Sequence, residues 1–120
     1  MERLEEMPSA IPPNSKTLNA LGLCARARRL VCGTPQVCEA LRGSEKPFLV
    51  LAPSDNSENT AKRLRDRCAF YHVRLVVLDV DADRLSSAIG KQGRVAAVAI
   101  TDPNLYRLVA DTLRDEEHNV

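Results

Sequence analysis

Only two histidines, His72 and His118, occur in the 120 residues, and no two of the four cysteines are spaced as C-x-x-C. A tetrahedral metal site draws on ligands at short paired spacings, so Cys24, Cys32, Cys38 and Cys68 do not read as zinc ligands. No apolar run approaches the roughly 20 residues that span a bilayer, and no membrane contact is expected. The first residues alternate in charge instead of forming an apolar run, so no signal-peptide pattern is expected there. A cytoplasmic setting with reduced thiols follows, and the cysteines then read as small core hydrophobes.

Catalytic signatures are equally scarce. There is no G-x-x-x-x-G-K-S/T loop, and no G-x-G-x-x-G follows a strand. Gly90-Lys91-Gln92-Gly93 is flanked by glycines, but it follows a helix and precedes a strand, the wrong order for a phosphate loop that opens a helix. His72 falls where a helix runs into a strand and reads as a helix-end or surface residue. Asp79, Asp81 and Asp83 lack the central glycine and the distant glutamate of an EF-hand loop, so capping and solvation account for them. Ser54-Asp55-Asn56-Ser57 likewise reads as a helix cap. Without a base, a metal or a phosphate loop, the chain does not read as an enzyme and implies no cofactor.

The formal net charge is +1, which by itself announces no polyanionic partner. The kind of basic residue says more. Thirteen of the seventeen are Arg, the side chain suited to bidentate phosphate contact and to stacking on bases. A hydrophobic fraction of 44% and a charged fraction of 28% are ordinary for one globular domain.

Helical and strand patterns alternate along the chain. Residues 1 to about 15 carry Pro8, Pro12 and Pro13 among charges and read as a flexible arm, residues 16–114 as the folded domain, and 115–120 as a frayed polar tail. Ser15 is placed to cap a helix over Thr17–Arg28, with Leu18, Leu21 and Ala25 on one face. Leu30–Cys32 is a short strand. Thr34-Pro35 has the form of an N-cap followed by proline at the first helical position. Val37, Cys38 and Leu41 make the stripe of that helix, and Gly43 stops it. Phe48–Ala52, Arg74–Leu78 and Arg94–Ile100 are continuous apolar runs, as in strands covered on both faces. Ser54 or Asp55 caps a helix carrying Ala61, Leu64 and Cys68. Asp81 caps a short one with Leu85, Ala88 and Ile89 inward. Asp102-Pro103 opens the last, with Leu105, Leu108, Val109 and Leu113 as its stripe. This alternation predicts an α/β fold, a three-layer α/β/α sandwich around a mixed, mostly parallel four-stranded sheet.

Two turns fall at neighbouring strand ends in such a sandwich. One is Gly33-Thr34-Pro35-Gln36, a helix start whose free N–H groups and partial positive charge suit a phosphate or a base edge. The other is the connection through Ile89, Gly90 and Lys91. There an exposed Ile89 could pack on an unstacked base while Lys91 supplies charge. The plainer readings are a helix cap for the first turn and a core residue for Ile89.

The stretch Leu21-Gly22-Leu23-Cys24-Ala25-Arg26-Ala27-Arg28-Arg29-Leu30-Val31-Cys32-Gly33 resembles the opening of the bacterial YlxQ-type proteins of the ribosomal L7Ae superfamily. Asn59-Thr60, Ala88-Ile89-Gly90-Lys91 and the run Val95–Asp102 are similar to later family segments, in order, over roughly residues 17–110. The resemblance implies an α/β/α sandwich that recognises kink-turn RNA in a cytoplasmic, ribosome-associated setting. RNA is the implied partner, with ribosomal or translation proteins as further ones, and the protein is expected to be a monomer. Carried over by position, Gly33, Thr34, Gln36 and Glu39 would meet the sheared G·A pairs of the kink-turn. Ile89, Gly90 and Lys91 would meet the flipped-out nucleotide. Glu39 stands where the family usually has Lys, Pro35 where it has Asn or Lys, and Ser86 where Gly is common. The alternative carried by the same scaffold is a protein-interaction module with weak or no RNA binding.

Overall fold

The computed structural model describes the backbone of residues 15–118 and the side chains of residues 16–114. The proline-containing arm falls almost wholly outside the described residues. The elements run α1 (Ser15–Arg26), β1 (Leu30–Cys32), α2 (Thr34–Arg42), β2 (Leu49–Pro53), α3 (Glu58–Phe70), β3 (Leu75–Leu78), α4 (Ala82–Ala88), β4 (Val98–Ile100) and α5 (Pro103–His118). α5 thus continues past Asp115, where the tail was expected to begin.

The four strands form one mixed sheet in the order β1-β4-β2-β3. β2 and β3 are parallel, but β4 runs antiparallel to both β1 and β2. The sheet is therefore mixed, as expected: β1, β2 and β3 run the same way, and β4 alone runs against them. A continuous apolar run reports burial on both faces and carries no information about strand direction.

Alternate strand residues feed two cores. Leu49, Leu51, Val98 and Ile100 point to one face and pack with Leu21 and Cys24 of α1, Leu85 of α4, and Val109 and Leu113 of α5. Val50, Ala52, Ala97 and Ala99 point to the other, against Val37 and Leu41 of α2 and Leu64 and Cys68 of α3. Three of those four residues are alanine, so the sheet presents small side chains to α2 and α3. On the first face a buried hydrogen bond ties the outer helices together, with the Thr17 hydroxyl donating to Thr112 Oγ1 at 2.9 Å.

Several ends differ from the sequence reading for identifiable reasons. α1 stops at Arg26, two residues early. Arg28 takes a left-handed conformation (φ 59°), the Arg28 N–H donates to Ala25 O, and the Arg29 N–H donates to Cys24 O. This is a Schellman closure built without glycine. α3 ends in the same way on His72 (φ 61°), which fits the helix-end reading of that residue. α3 is capped by Ser57, which accepts from the Thr60 N–H, and not by Ser54 or Asp55. Those two are taken up elsewhere: Ser54 donates to Val80 O, and Asp55 accepts from the Ala82 N–H. β3 is an edge strand, half-buried at alternate residues, and not fully buried. β4 begins at Val98 instead of Arg94. The Val95 N–H donates to Ser86, and the Ala96 carbonyl accepts from Asn56, so this backbone bonds to side chains and not to a ladder. Leu108, expected inward, is exposed, as is Phe48, which stacks on Tyr106 with centroids 5.9 Å apart. Asp81 and Asp102 cap α4 and α5 as expected; Asp102 accepts from the Asn104 and Leu105 N–H groups, both at 2.9 Å.

All four cysteines are free thiols, three buried and Cys32 half-buried. Burial pushes the Cys68 thiol up to about 11 from its ordinary 9.0, with the nearby Cys38 adding to the shift. An unfolded chain ionises this thiol near pH 9, whereas the folded one holds its proton to about pH 11. Its contribution to stability is therefore complete below pH 9 and is lost as pH rises from 9 to about 11. Urea midpoints followed by circular dichroism across that window should fall less steeply for Cys68→Ala than for the unchanged protein. Parallel slopes would contradict the assignment.

Candidate functional site

Strand directions gather the functional loops at one edge of the sheet. β1, β2 and β3 end there and β4 begins there, so Gly33, the loop 54–57, the loop 79–81 and the segment 89–97 are neighbours. α2, α3 and α4 each start from this edge. Ser57 caps α3, and Glu58 sits in its first turn. Asp81 caps α4, with Asp83 in its first turn. α2 alone has no side-chain cap and no acid in its first turn. Of the three helix starts, it is the one whose N–H groups and partial positive charge are left for an outside anion.

Gly33, not Thr34, is the N-cap of α2, with φ 102° and ψ 143°. Its N–H donates to Ala97 O at 2.8 Å, anchoring the helix start to the strand-like segment before β4. A Cβ at Gly33 would lie 2.4 Å from Gln36 Oε1, so the Gln36 side chain folds back over the glycine. Thr34 Oγ1 is buried with no hydrogen-bond partner among the described residues. Gln36 is exposed. Glu39, one turn on, is also exposed and accepts from Arg42 at 2.6 Å. Such a pair contributes only a few tenths of a kcal/mol to the helix, but it partly neutralises the carboxylate.

The second turn is held from beneath. The Gly90 N–H donates to Ser87 O, and the Lys91 N–H donates to Ser86 O. Lys91 is exposed, and its charge is close enough to Cys32 to offset part of the burial that raises that thiol's pKa. Lys91 therefore lies within electrostatic reach of Cys32, the last residue of β1 before Gly33. Ile89 takes the inward, core position of the two readings the sequence offered, not the exposed one. It is 5% exposed and packs in the core with Leu85 and Val95. As the C-cap of α4, Ile89 keeps its side chain on the helix's inward stripe, and the exposed surface of the turn falls to Gly90 and Lys91.

Two residues escaped sequence reasoning. Ser86 is 3% exposed; it donates to Ala82 O at 2.8 Å and accepts from the Val95 N–H at 2.9 Å, tying α4 to the segment that leads into β4. Nothing in a lone serine signals this. Arg26 is the other. Its guanidinium reaches back along α1 to Gly22, at the close crossing of α1 on the carbonyl of Ala88. That places a cation beside the Ile89–Lys91 turn, and the only hint was the clustering of Arg26, Arg28 and Arg29. Among the described residues, no three His, Cys, Asp or Glu side chains converge as a metal site would need, and no helix is long and apolar enough to cross a membrane.

The sequence profile of the ribosomal protein L7Ae/L30e/S12e/Gadd45 family matches residues 15–110. The chain belongs to that family. Among its relatives is the RNA-binding protein YlxQ of Bacillus subtilis, 42% identical over 82 residues, which cover 68% of this chain and 79% of that one. The Enterococcus faecium RNA-binding protein YlxQ is 32% identical over 83 residues, 69% of this chain and 79% of that one. Two solved structures share the L7Ae-family fold seen here. A Bacillus halodurans protein of unknown function is 35% identical, with a TM-score of 0.75 over 84% of this chain and 99% of that one. The Giardia lamblia 15.5kD RNA binding protein is 19% identical, with a TM-score of 0.73 over 94% and 98%.

Proposed function

We propose that this L7Ae-family protein is a non-catalytic, monomeric RNA-binding protein that docks on a kink-turn or similar internal-loop RNA in a cytoplasmic, ribosome-associated setting. The observation that carries this reading is the uncapped, acid-free start of α2 set beside the Lys91 turn. The YlxQ relatives, which are RNA-binding proteins by name, support the choice of ligand.

In this reading, the N–H groups of Thr34 and Gln36 face phosphate or base-edge oxygens, Pro35 having none to offer. Gln36 swings off Gly33 and uses its amide as both donor and acceptor on the edges of sheared G·A pairs. Gly90 brings backbone close to the RNA, and Lys91 and Arg26 supply positive charge. Ile89 holds the turn in place from within the core. Glu39, paired with Arg42, weakens attraction without abolishing it.

Fluorescence anisotropy with a labelled kink-turn RNA over a salt series tests this. Affinity should fall steeply as salt rises, by the release of counterions from the phosphates. Gln36→Ala should weaken binding roughly tenfold, the loss of one good base-edge contact. Glu39→Lys should strengthen it about fivefold at low salt, by exchanging repulsion for attraction. No binding at low salt would sink the RNA reading in favour of a protein-interaction module. Unchanged affinity in both variants would place the site elsewhere.

A further inference from the structure

α2 and α3 end side by side at the opposite edge of the sheet, and a surface there has no part in the site already described. Phe70, the last residue of α3, is 73% exposed, more than any other large hydrophobic residue among those described. Its ring meets the Tyr71 ring edge-on, with centroids 4.8 Å apart and planes at 89°. A face of Tyr71 is taken by the Lys46 ammonium, 4.5 Å from the ring centroid. Beside them lies an open groove of about 430 Å³ lined by Arg42, Asp66, Arg67, Phe70 and Tyr71. Asp66 is held by Lys62 at 2.8 Å, and that hydrogen bond lowers its pKa. Arg42 shares its charge with Glu39, while Arg67 makes no ion pair among the described residues.

This lining selects its occupant. It has no aliphatic side chain to receive the leucine-type anchor of a docking helix. It has an exposed aromatic ring, and two guanidiniums, Arg42 and Arg67, against the one carboxylate of Asp66. A flat apolar face flanked by guanidiniums suits a base with its phosphates. The position suits a single RNA as well. α2 spans nine residues, about 14 Å at 1.5 Å per residue, from the Gly33 turn to Arg42. That is on the order of four stacked nucleotides.

We propose that Phe70, Arg42 and Arg67 form a second RNA contact, which binds an unpaired nucleotide flanking the structured element held at the α2 start. The base stacks on Phe70, and its phosphates lie between the two arginines. This rests on the RNA-binding reading, and the test keeps the two apart.

The probes are one kink-turn RNA made blunt, and the same RNA with a six-uridine unpaired tail on each strand end in turn. At least one tail should tighten binding by the unchanged protein roughly 5- to 100-fold, the range for one base stacked on an aromatic side chain. Phe70→Ala should remove that gain and leave blunt-RNA affinity within about twofold, while Phe70→Tyr should keep it. Arg67→Ala should flatten the salt dependence of the tailed complex by about 0.7 of a log unit per log unit of salt. Phe70 is exposed, so the variants should melt with the unchanged protein. No gain from any tail, or a gain that survives Phe70→Ala, overturns the proposal, as does a protein captured through Phe70 with tails inert. If blunt RNA does not bind at all, the kink-turn reading has failed separately, and a twelve-uridine oligonucleotide decides this one: binding lost in Phe70→Ala upholds the contact, and no binding overturns it.

Discussion

Gly33→Ala is expected to destabilise the protein by about 1–3 kcal/mol and to weaken kink-turn RNA binding at least tenfold. The backbone at Gly33, φ 102° and ψ 143°, lies in a region that side-chain-bearing residues essentially never occupy. The added methyl meets Gln36 Oε1 at 2.4 Å, but that oxygen ends a flexible side chain and can move away. The backbone cannot relax so cheaply. Returning φ to negative values turns the N–H away from Ala97 O, and that bond is what seats the start of α2 on the segment before β4. The helix start would then shift relative to Lys91, and the two halves of the site would lose register. Gly33→Asn should not rescue it, because asparagine tolerates the ordinary left-handed region near ψ +45° and not ψ 143°. Urea denaturation by circular dichroism gives the first quantity, since the chain lacks tryptophan, and anisotropy gives the second. Full stability in Gly33→Ala would mean that the turn is freer than its geometry implies.

Gly22→Val is expected to cost about 2–3 kcal/mol and to disturb the second turn. Gly22 lies where α1 crosses α4, and a Cβ there would sit 2.9 Å from the backbone carbonyl of Ala88. Backbone cannot swing aside as a side-chain end can, so the helices must part. Overpacking of this kind typically costs 1–3 kcal/mol, and the branched valine adds methyl groups to the clash. Helix propensity returns only a few tenths, because valine is itself a modest helix former. Gly22→Ala should cost less, since its single methyl is partly offset by alanine's gain of about 1 kcal/mol in propensity. Ala88 leads directly into Ile89-Gly90-Lys91, so the displacement passes to the turn that carries Lys91. RNA affinity should therefore drop in Gly22→Val even at urea concentrations where it remains folded. Equal affinity would show that α4 moves without its turn.

What could be read in advance was what local chemistry alone decides. Asp81 and Asp102 cap their helices because a carboxylate before a helical stripe has N–H groups within reach whatever surrounds it. The stripes of α2 and α3 followed from 3.6-residue spacing, as did Leu85 in α4. Direction and exposure were not local. β4 reads as a doubly buried strand in either orientation, and its antiparallel pairing depends on where the segment after α4 re-enters the sheet. Arg28 and His72 end helices in left-handed conformations with no glycine to mark them. The run Ser54-Asp55-Asn56-Ser57 holds four residues able to cap, and only the fold decides that Ser57 does so while its neighbours bond across the sheet edge. Of the candidate site, the turns Gly33–Gln36 and Gly90–Lys91 could be placed from turn chemistry alone, and their assignment to RNA is a proposal. The inward turn of Ile89 followed from the stripe of α4, whereas the placing of Ser86 and Arg26 arises from contacts between distant segments.

The unequal helix starts along the sheet edge bear on how an encounter with RNA would unfold in time. The molecule is nearly neutral overall, with a net charge of +1, so it exerts little long-range pull on a polyanion. Among the three helix starts at that edge only the opening of α2 is left positive, for the companion starts carry Glu58, Asp81 and Asp83. Such a surface rewards a correctly oriented collision and gives little to any other. Arrival rates should then differ little among RNAs, near the 10⁵–10⁶ M⁻¹s⁻¹ of unsteered docking. Discrimination falls to residence time: an RNA that fits both turns stays, and one that fits neither leaves before the next arrives.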